Sequence, residues 1–216
     1  MEHSLGMEIR TGIGLISEFY FSAPFQALME QMKPVTGLPA PPAGPTIFQR
    51  NDGRGLAKTT FRTKMTIGKD ADQIDLYYFG RAHTGGDAFV VFRALNVMHA
   101  GDVFHTKDLP IMDANNGGSG VDFPKTLGNA FAGVKNITAV INGHNPKTTT
   151  MAELKTQEQF VADFVRHVQA GKKAGKSVDD VAASWKTPAR YKALGYADAQ
   201  LARAKADAQV IFDETK

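Results

Sequence analysis

The sequence predicts an α+β fold, with strands first and helices packed on them. Three observations carry that reading. Short runs of β-formers, bounded by glycine or charge, fill the stretch from Thr59 to Ile141. After Pro146 the apolar residues change to helical spacing, with Phe160, Phe164, Val165 and Val168 sharing a side. At 216 residues with 43% hydrophobic content, the chain can bury a sizeable core without staples.

Ser22 to Met32 reads as a short helix, with Phe25, Leu28, Met29 and Met32 on one face. Residues 33–58 hold Pro34, Pro39, Pro41, Pro42 and Pro45 and several glycines, so they form a long surface loop. Strands are expected over Thr60–Ile67, Gln73–Phe79, Ala88–Phe92, Asn96–Met98 and Asn136–Ile141. A glycine-rich loop, Asp113 to Gly120, precedes a helix over Phe123–Val134. Further helices are expected over Met151–Ala170, Ser177–Trp185, Pro188–Ala193 and Asp198–Asp213. Ser177 suits an N-cap, as does Thr187 with Pro188 at the first helical position. The organisation expected is a domain over residues 1–150 and a helical extension over 151–216.

Composition excludes several classes of function. With no cysteine, a disulfide framework, a Cys-zinc site, an iron–sulfur cluster and a thiol nucleophile are all excluded. The net charge is +3, and the lysines between Lys155 and Lys205 are interspersed with acids, which reads as a solvated helix face and not a nucleic-acid patch. No apolar run reaches the length of a membrane span, and no basic region precedes Ile13–Ile16, so no membrane segment or signal peptide is expected. A cytoplasmic location is expected for the chain as given, and a periplasmic one if a signal lies upstream.

Three short motifs stand at strand ends. They are Gly80-Arg81-Ala82-His83-Thr84-Gly85-Gly86-Asp87, His99-Ala100-Gly101-Asp102 and Ile141-Asn142-Gly143-His144. Each places one metal-capable side chain beside a glycine, which lets the backbone turn tightly toward a shared centre. His and Asp are the ligand types of a hydrolytic zinc site.

In this order, the three motifs resemble those of the metallo-β-lactamase superfamily. The resemblance covers roughly Thr59 to Lys155 and implies the C-terminal part of an αββα sandwich, with the helical extension beyond it. It implies a zinc-dependent hydrolase acting on a small ester-, thioester- or lactam-like substrate. His83, Asp102 and His144 correspond to metal ligands, Asp102 being the bridging carboxylate and the catalytic residue. Thr84 and Asp87 correspond to residues behind the first-site histidine, and His99 is expected to be a packed or supporting histidine. His105 follows Asp102 closely in a loop, where it reads as a lid or solvent residue, with metal contact as the lesser reading.

One departure is large. The superfamily's His-x-His-x-Asp-His segment has no counterpart, since the only histidine before His83 is His3. The expectation is a chain that begins past that motif, weak or inactive as given, with one or two zinc ions in the complete family site. The alternative is a non-catalytic remnant or binding module on the same scaffold. A sandwich lacking its first half would expose a sheet face and self-associate, for example as a homodimer. Gly171-Lys172-Lys173-Ala174-Gly175-Lys176-Ser177 mimics a phosphate-binding loop but is one residue short and follows a helix, so it reads as a helix–helix connection. Trp185 and Tyr77 read as packing residues.

Overall fold

A computed structural model describes residues 3–4 and 59–216. The expected helix over 22–32 and the loop over 33–58 lie outside the described residues. The chain divides into two compact units, Met1–Phe61 and Arg62–Lys216. In the first, β1 (His3–Ser4) pairs antiparallel with β2 (Thr60–Phe61).

The second unit holds a five-stranded sheet in the order β3 (Lys64–Ile67), β4 (Ile74–Tyr77), β5 (Phe89–Phe92), β6 (Val97–Gly101) and β7 (Ala139–Asn142). The strand expected over Thr60–Ile67 is thus two strands, broken at Arg62–Thr63. The first three pairings are antiparallel and β6–β7 is parallel. A parallel neighbour needs a crossover, which α1 (Phe123–Gly133) supplies.

Directly opposed residues share a face, so the register sorts the two sides of the sheet. Asp75, Val91, Met98 and Val140 form one row across β4 to β7. All four are buried, and the three apolar members join the helices in one core. The opposite row runs Leu76, Val90, His99, Ile141, and apart from Leu76 it is half-buried.

The helix layer comprises α1, α2 (Met151–Lys173), α3 (Val178–Ser184), the single turn α4 (Ala189–Lys192) and α5 (Leu201–Glu214). A capping box starts α2: the Thr150 hydroxyl accepts the Glu153 amide, while the Glu153 carboxylate accepts the Thr150 amide at 2.9 Å. The apolar face of α2 then buries Leu154, Phe160, Val161, Phe164 and Val168. Phe160 and Phe164 pack on Trp185, and Phe160 also meets Tyr191 and Tyr196.

Ser177 caps α3, its hydroxyl accepting the Asp180 amide at 3.1 Å. Thr187 does not cap α4. Pro188 takes the flanking position, and the Thr187 hydroxyl is spent on the Ala197 carbonyl at 2.8 Å. The phosphate-loop mimic is the end of α2 and its turn into α3. Gly171 packs so closely on Val181 that a Cβ there would lie 2.3 Å from Val181 Cγ2. His167 is half-buried against Trp185, with Nε2 3.0 Å from the Val181 carbonyl. Because α2, α3 and α5 share the core of the sheet, residues 151–216 lie in one compact unit with it, and the division falls at Phe61/Arg62. No described helix is long and apolar enough to cross a membrane.

Candidate metal centre

The site forms where three connections leave the sheet. At the end of β6 the register slips between His99 and Gly101, a bulge after which Gly101 makes the last pair, with Asn142. Gly101 follows with φ 52° and ψ −142°, a backbone shape open to glycine, and it turns the chain into the 3-10 turn Asp102–Phe104. Asp102 is thereby aimed out of the sheet, with its side chain 39% exposed. On the neighbouring parallel strand, Gly143 donates its amide to the Gly101 carbonyl at 2.9 Å. A Cβ at Gly143 would lie 2.2 Å from Asp102 Oδ1, so only glycine permits this approach. The His144 amide then bonds the His105 carbonyl at 3.0 Å.

His83 sits on the turn after β4. Thr84 donates both its amide and its hydroxyl to Asp87, each at 2.8 Å, and Gly86 donates to the Thr84 hydroxyl. Burial pushes the Asp87 carboxyl up, against the Thr84 bonds that pull it down. This pair fixes the turn's backbone. The imidazole itself is held elsewhere: Nδ1 lies 2.9 Å from the Ile111 carbonyl. The loop carrying Ile111 wraps the same turn, with Asp113 donating to the His83 carbonyl and Ser119 to that of Ala82.

These connections bring His83, Asp102 and His144 together. His144 Nε2 is 3.0 Å from Asp102 Oδ1, and His83 Nε2 is 3.6 Å from Asp102 Oδ2. A carbonyl only accepts, so His83 Nδ1 carries a proton, and the neutral form of the ring would present the Nε2 lone pair to a carboxylate oxygen. In that form two acceptors face each other, and a cation between or beside them would satisfy both. Two ligands on one tetrahedral zinc, bonded at about 2.0–2.2 Å, lie about 3.4 Å apart, close to both pairs. Donor type and spacing therefore fit zinc. Donor number is lower: each pair supplies two side chains, and a catalytic zinc takes three from protein. Among the described residues no group of three or more His, Cys, Asp or Glu is placed to hold a metal ion.

His99 and His105 form no ion pair with Asp102. His99 Nδ1 accepts the Gly101 amide at 3.1 Å, and burial pushes its pKa down, so it braces the bulge. His105 packs edge-on against His144, with ring centroids 6.3 Å apart. Burial first, and then the Arg203 charge, push it down to about 4. Its buried Nδ1 has no hydrogen-bond partner among the described residues. Arg81 is engaged by Asp122 and Glu214 at the ends of α1 and α5. The Ile111 carbonyl escapes sequence reading because a backbone acceptor leaves no residue signature.

No protein-family model matches the sequence, and no curated protein sequence matches it. Among solved structures, an inverting sec-alkylsulfatase, Pisa1 from Pseudomonas sp., superposes with a TM-score of 0.57 at 11% identity, over 71% of this chain and 25% of that one. The DIM-1 metallo-β-lactamase gives a TM-score of 0.44 at 19% identity, over 54% of this chain and 53% of that one. A metallo-β-lactamase from Pontibacter korlensis gives 0.44 at 17% identity, over 54% of each. The chain thus spans about half the length of these β-lactamases and a quarter of the alkylsulfatase. Over the part the alkylsulfatase covers, the chain shares that structure's fold, a metallo-β-lactamase-like one.

Proposed function

We propose that this chain carries a zinc-dependent hydrolytic centre built on His83, Asp102 and His144. The observation that supports the reading most is the approach of His83 Nε2 to Asp102 Oδ2 at 3.6 Å while His83 Nδ1 is committed to the Ile111 carbonyl. His83 and Asp102 would hold one ion, and Asp102 and His144 a second, with the carboxylate bridging. Zinc, when bound, supplies Lewis acidity and lowers the pKa of a water to about 7. The chain's own residues fix ring tautomer and carboxylate position. The site is open, with the His144 side chain 53% exposed, so a small ester-, thioester- or lactam-like substrate can reach it.

A second reading is a binding module that takes up metal without turnover. The donor count favours it, since each pair offers two protein ligands. The two readings separate in one experiment. The chain, supplied with zinc, is assayed on chromogenic ester, thioester, lactone, β-lactam and phosphodiester substrates beside D102A. Turnover of one class at least tenfold above D102A supports the hydrolase. Metal uptake with no turnover on any class supports the binding module, and neither uptake nor turnover overturns both.

A further inference from the structure

The peptide unit that holds His83 is itself held from the opposite side. Its carbonyl, from Ile111, accepts the His83 Nδ1 proton at 2.9 Å. Its amide, from Met112, donates to Asp207 Oδ1 on α5 at 3.2 Å. Carbonyl and amide belong to one planar group, so they move together. Asp207 is 1% exposed, and its other oxygen, Oδ2, has no hydrogen-bond partner among the described residues. Around it lie Arg203 on its own helix, whose charge favours the carboxylate, and Asp108, whose charge opposes it. A buried carboxyl with an unpartnered oxygen is costly for a helix that could have carried an apolar residue there.

We infer that Asp207 is a positioning residue for the proposed metal centre: through the Ile111–Met112 peptide it holds His83 in the tautomer with Nδ1 protonated and Nε2 free. The inference rests on the proposed function only for what that tautomer serves. Two acceptors compete for the single proton of neutral His83, the Ile111 carbonyl at Nδ1 and the Asp102 carboxylate at Nε2. A carboxylate accepting the Met112 amide polarises the shared peptide and strengthens its carbonyl as an acceptor. It also fixes where that carbonyl points. Both effects draw the proton to Nδ1, and Nε2 keeps the lone pair a metal needs.

The test uses the metal-free, full-length chain at pH 8, with imidazole 15N shifts reporting the tautomer of His83. Wild type is expected to show the Nδ1-protonated form at more than about nine-tenths. D207N, which keeps an oxygen for the Met112 amide, should stay within a tenth of that. D207A should raise the Nε2-protonated form to at least about a third. Folded D207A with the wild-type tautomer overturns the inference, because a merely structural role would change melting and leave the ring alone. Should D207A fail to fold, the converse variant decides. H83A removes only the imidazole end of the relay, and it should move the Met112 amide proton and the Asp207 carboxyl 13C resonances. Unmoved resonances in H83A overturn the inference. No zinc enters either measurement, so failure here is distinct from failure of the metal centre.

Discussion

Asp75 and Asp102 are carboxylates of the same sheet with opposite surroundings. Asp75, in the middle of β4, is ringed by donors: Thr66 at 2.6 Å, Arg93 at 2.6 Å, Tyr77 at 3.1 Å, Gln73 at 3.2 Å, and the Lys64 ammonium at 3.4 Å. Burial alone would push its pKa up, yet these donors hold it well below the usual carboxylate range. Asp102, at the end of β6, is open to solvent and faced by the Nε2 atoms of His83 and His144. A carboxylate saturated by protein donors is finished structure. One that is open to solvent and faced by two imidazoles is the carboxylate the proposed centre uses. The partners, more than the burial, separate scaffold from site.

The contrast is broken most directly by deleting each carboxylate in turn. D75A leaves Arg93, Thr66 and Gln73 without their common acceptor and is expected to cost about 3–5 kcal/mol in urea unfolding. D102A is expected to stay within about 1 kcal/mol of wild type and to lose metal instead. Equal losses of stability would erase the distinction.

Asp207 is a third case, buried with one hydrogen bond, and it sharpens the comparison through pH. Burial pushes its carboxyl up from 3.8 to about 7. A raised folded pKa means that its stabilising contribution is complete below about pH 4 and is lost as pH rises through 7. Asp75 behaves in the opposite sense: its contribution is present above about pH 4 and lost as pH falls further. The difference between wild type and D207N should therefore fall by up to about 4 kcal/mol between pH 4 and 8. D75N should instead flatten only the acid limb. Melting curves across this range check both, and a D207N difference independent of pH would contradict the assignment.

Smaller effects lie around Asp102 itself. G143A places a Cβ against the carboxylate and the Gly101 backbone. It should cost about 1–3 kcal/mol of stability and at least tenfold in zinc affinity. H99A removes the acceptor of the Gly101 amide. It should cost about 1 kcal/mol and change zinc affinity less than G143A does, as read by competition with a chromophoric chelator.

What could be read from the sequence follows from how locally each feature is encoded. Asp102 and His144 each directly follow a glycine past an apolar run, and His83 stands two residues before one, so strand end and tight turn are visible together. The helix cap at Ser177 is equally local. Asp207 is not local: it lies in a run of alternating alanines and charges, Ala204 to Ala208, and nothing in that run marks which charge is buried. Its role depends on a peptide far upstream. The break at Arg62–Thr63 also has no residue signature, since the flanking residues favour extended backbone throughout. Thr187 misleads because Thr-Pro looks like a helix start, while its hydroxyl is drawn off by Ala197 across a tertiary contact.

The central claim is that His83, Asp102 and His144 act together on one metal centre. The measurement that tests it most directly is zinc bound per chain after desalting, compared across wild type, H83A, D102A, H144A and H99A. The account predicts about one or more zinc in wild type and H99A, and loss in each of the other three. A wild-type chain that retains no zinc, or zinc that survives all three substitutions, would contradict it.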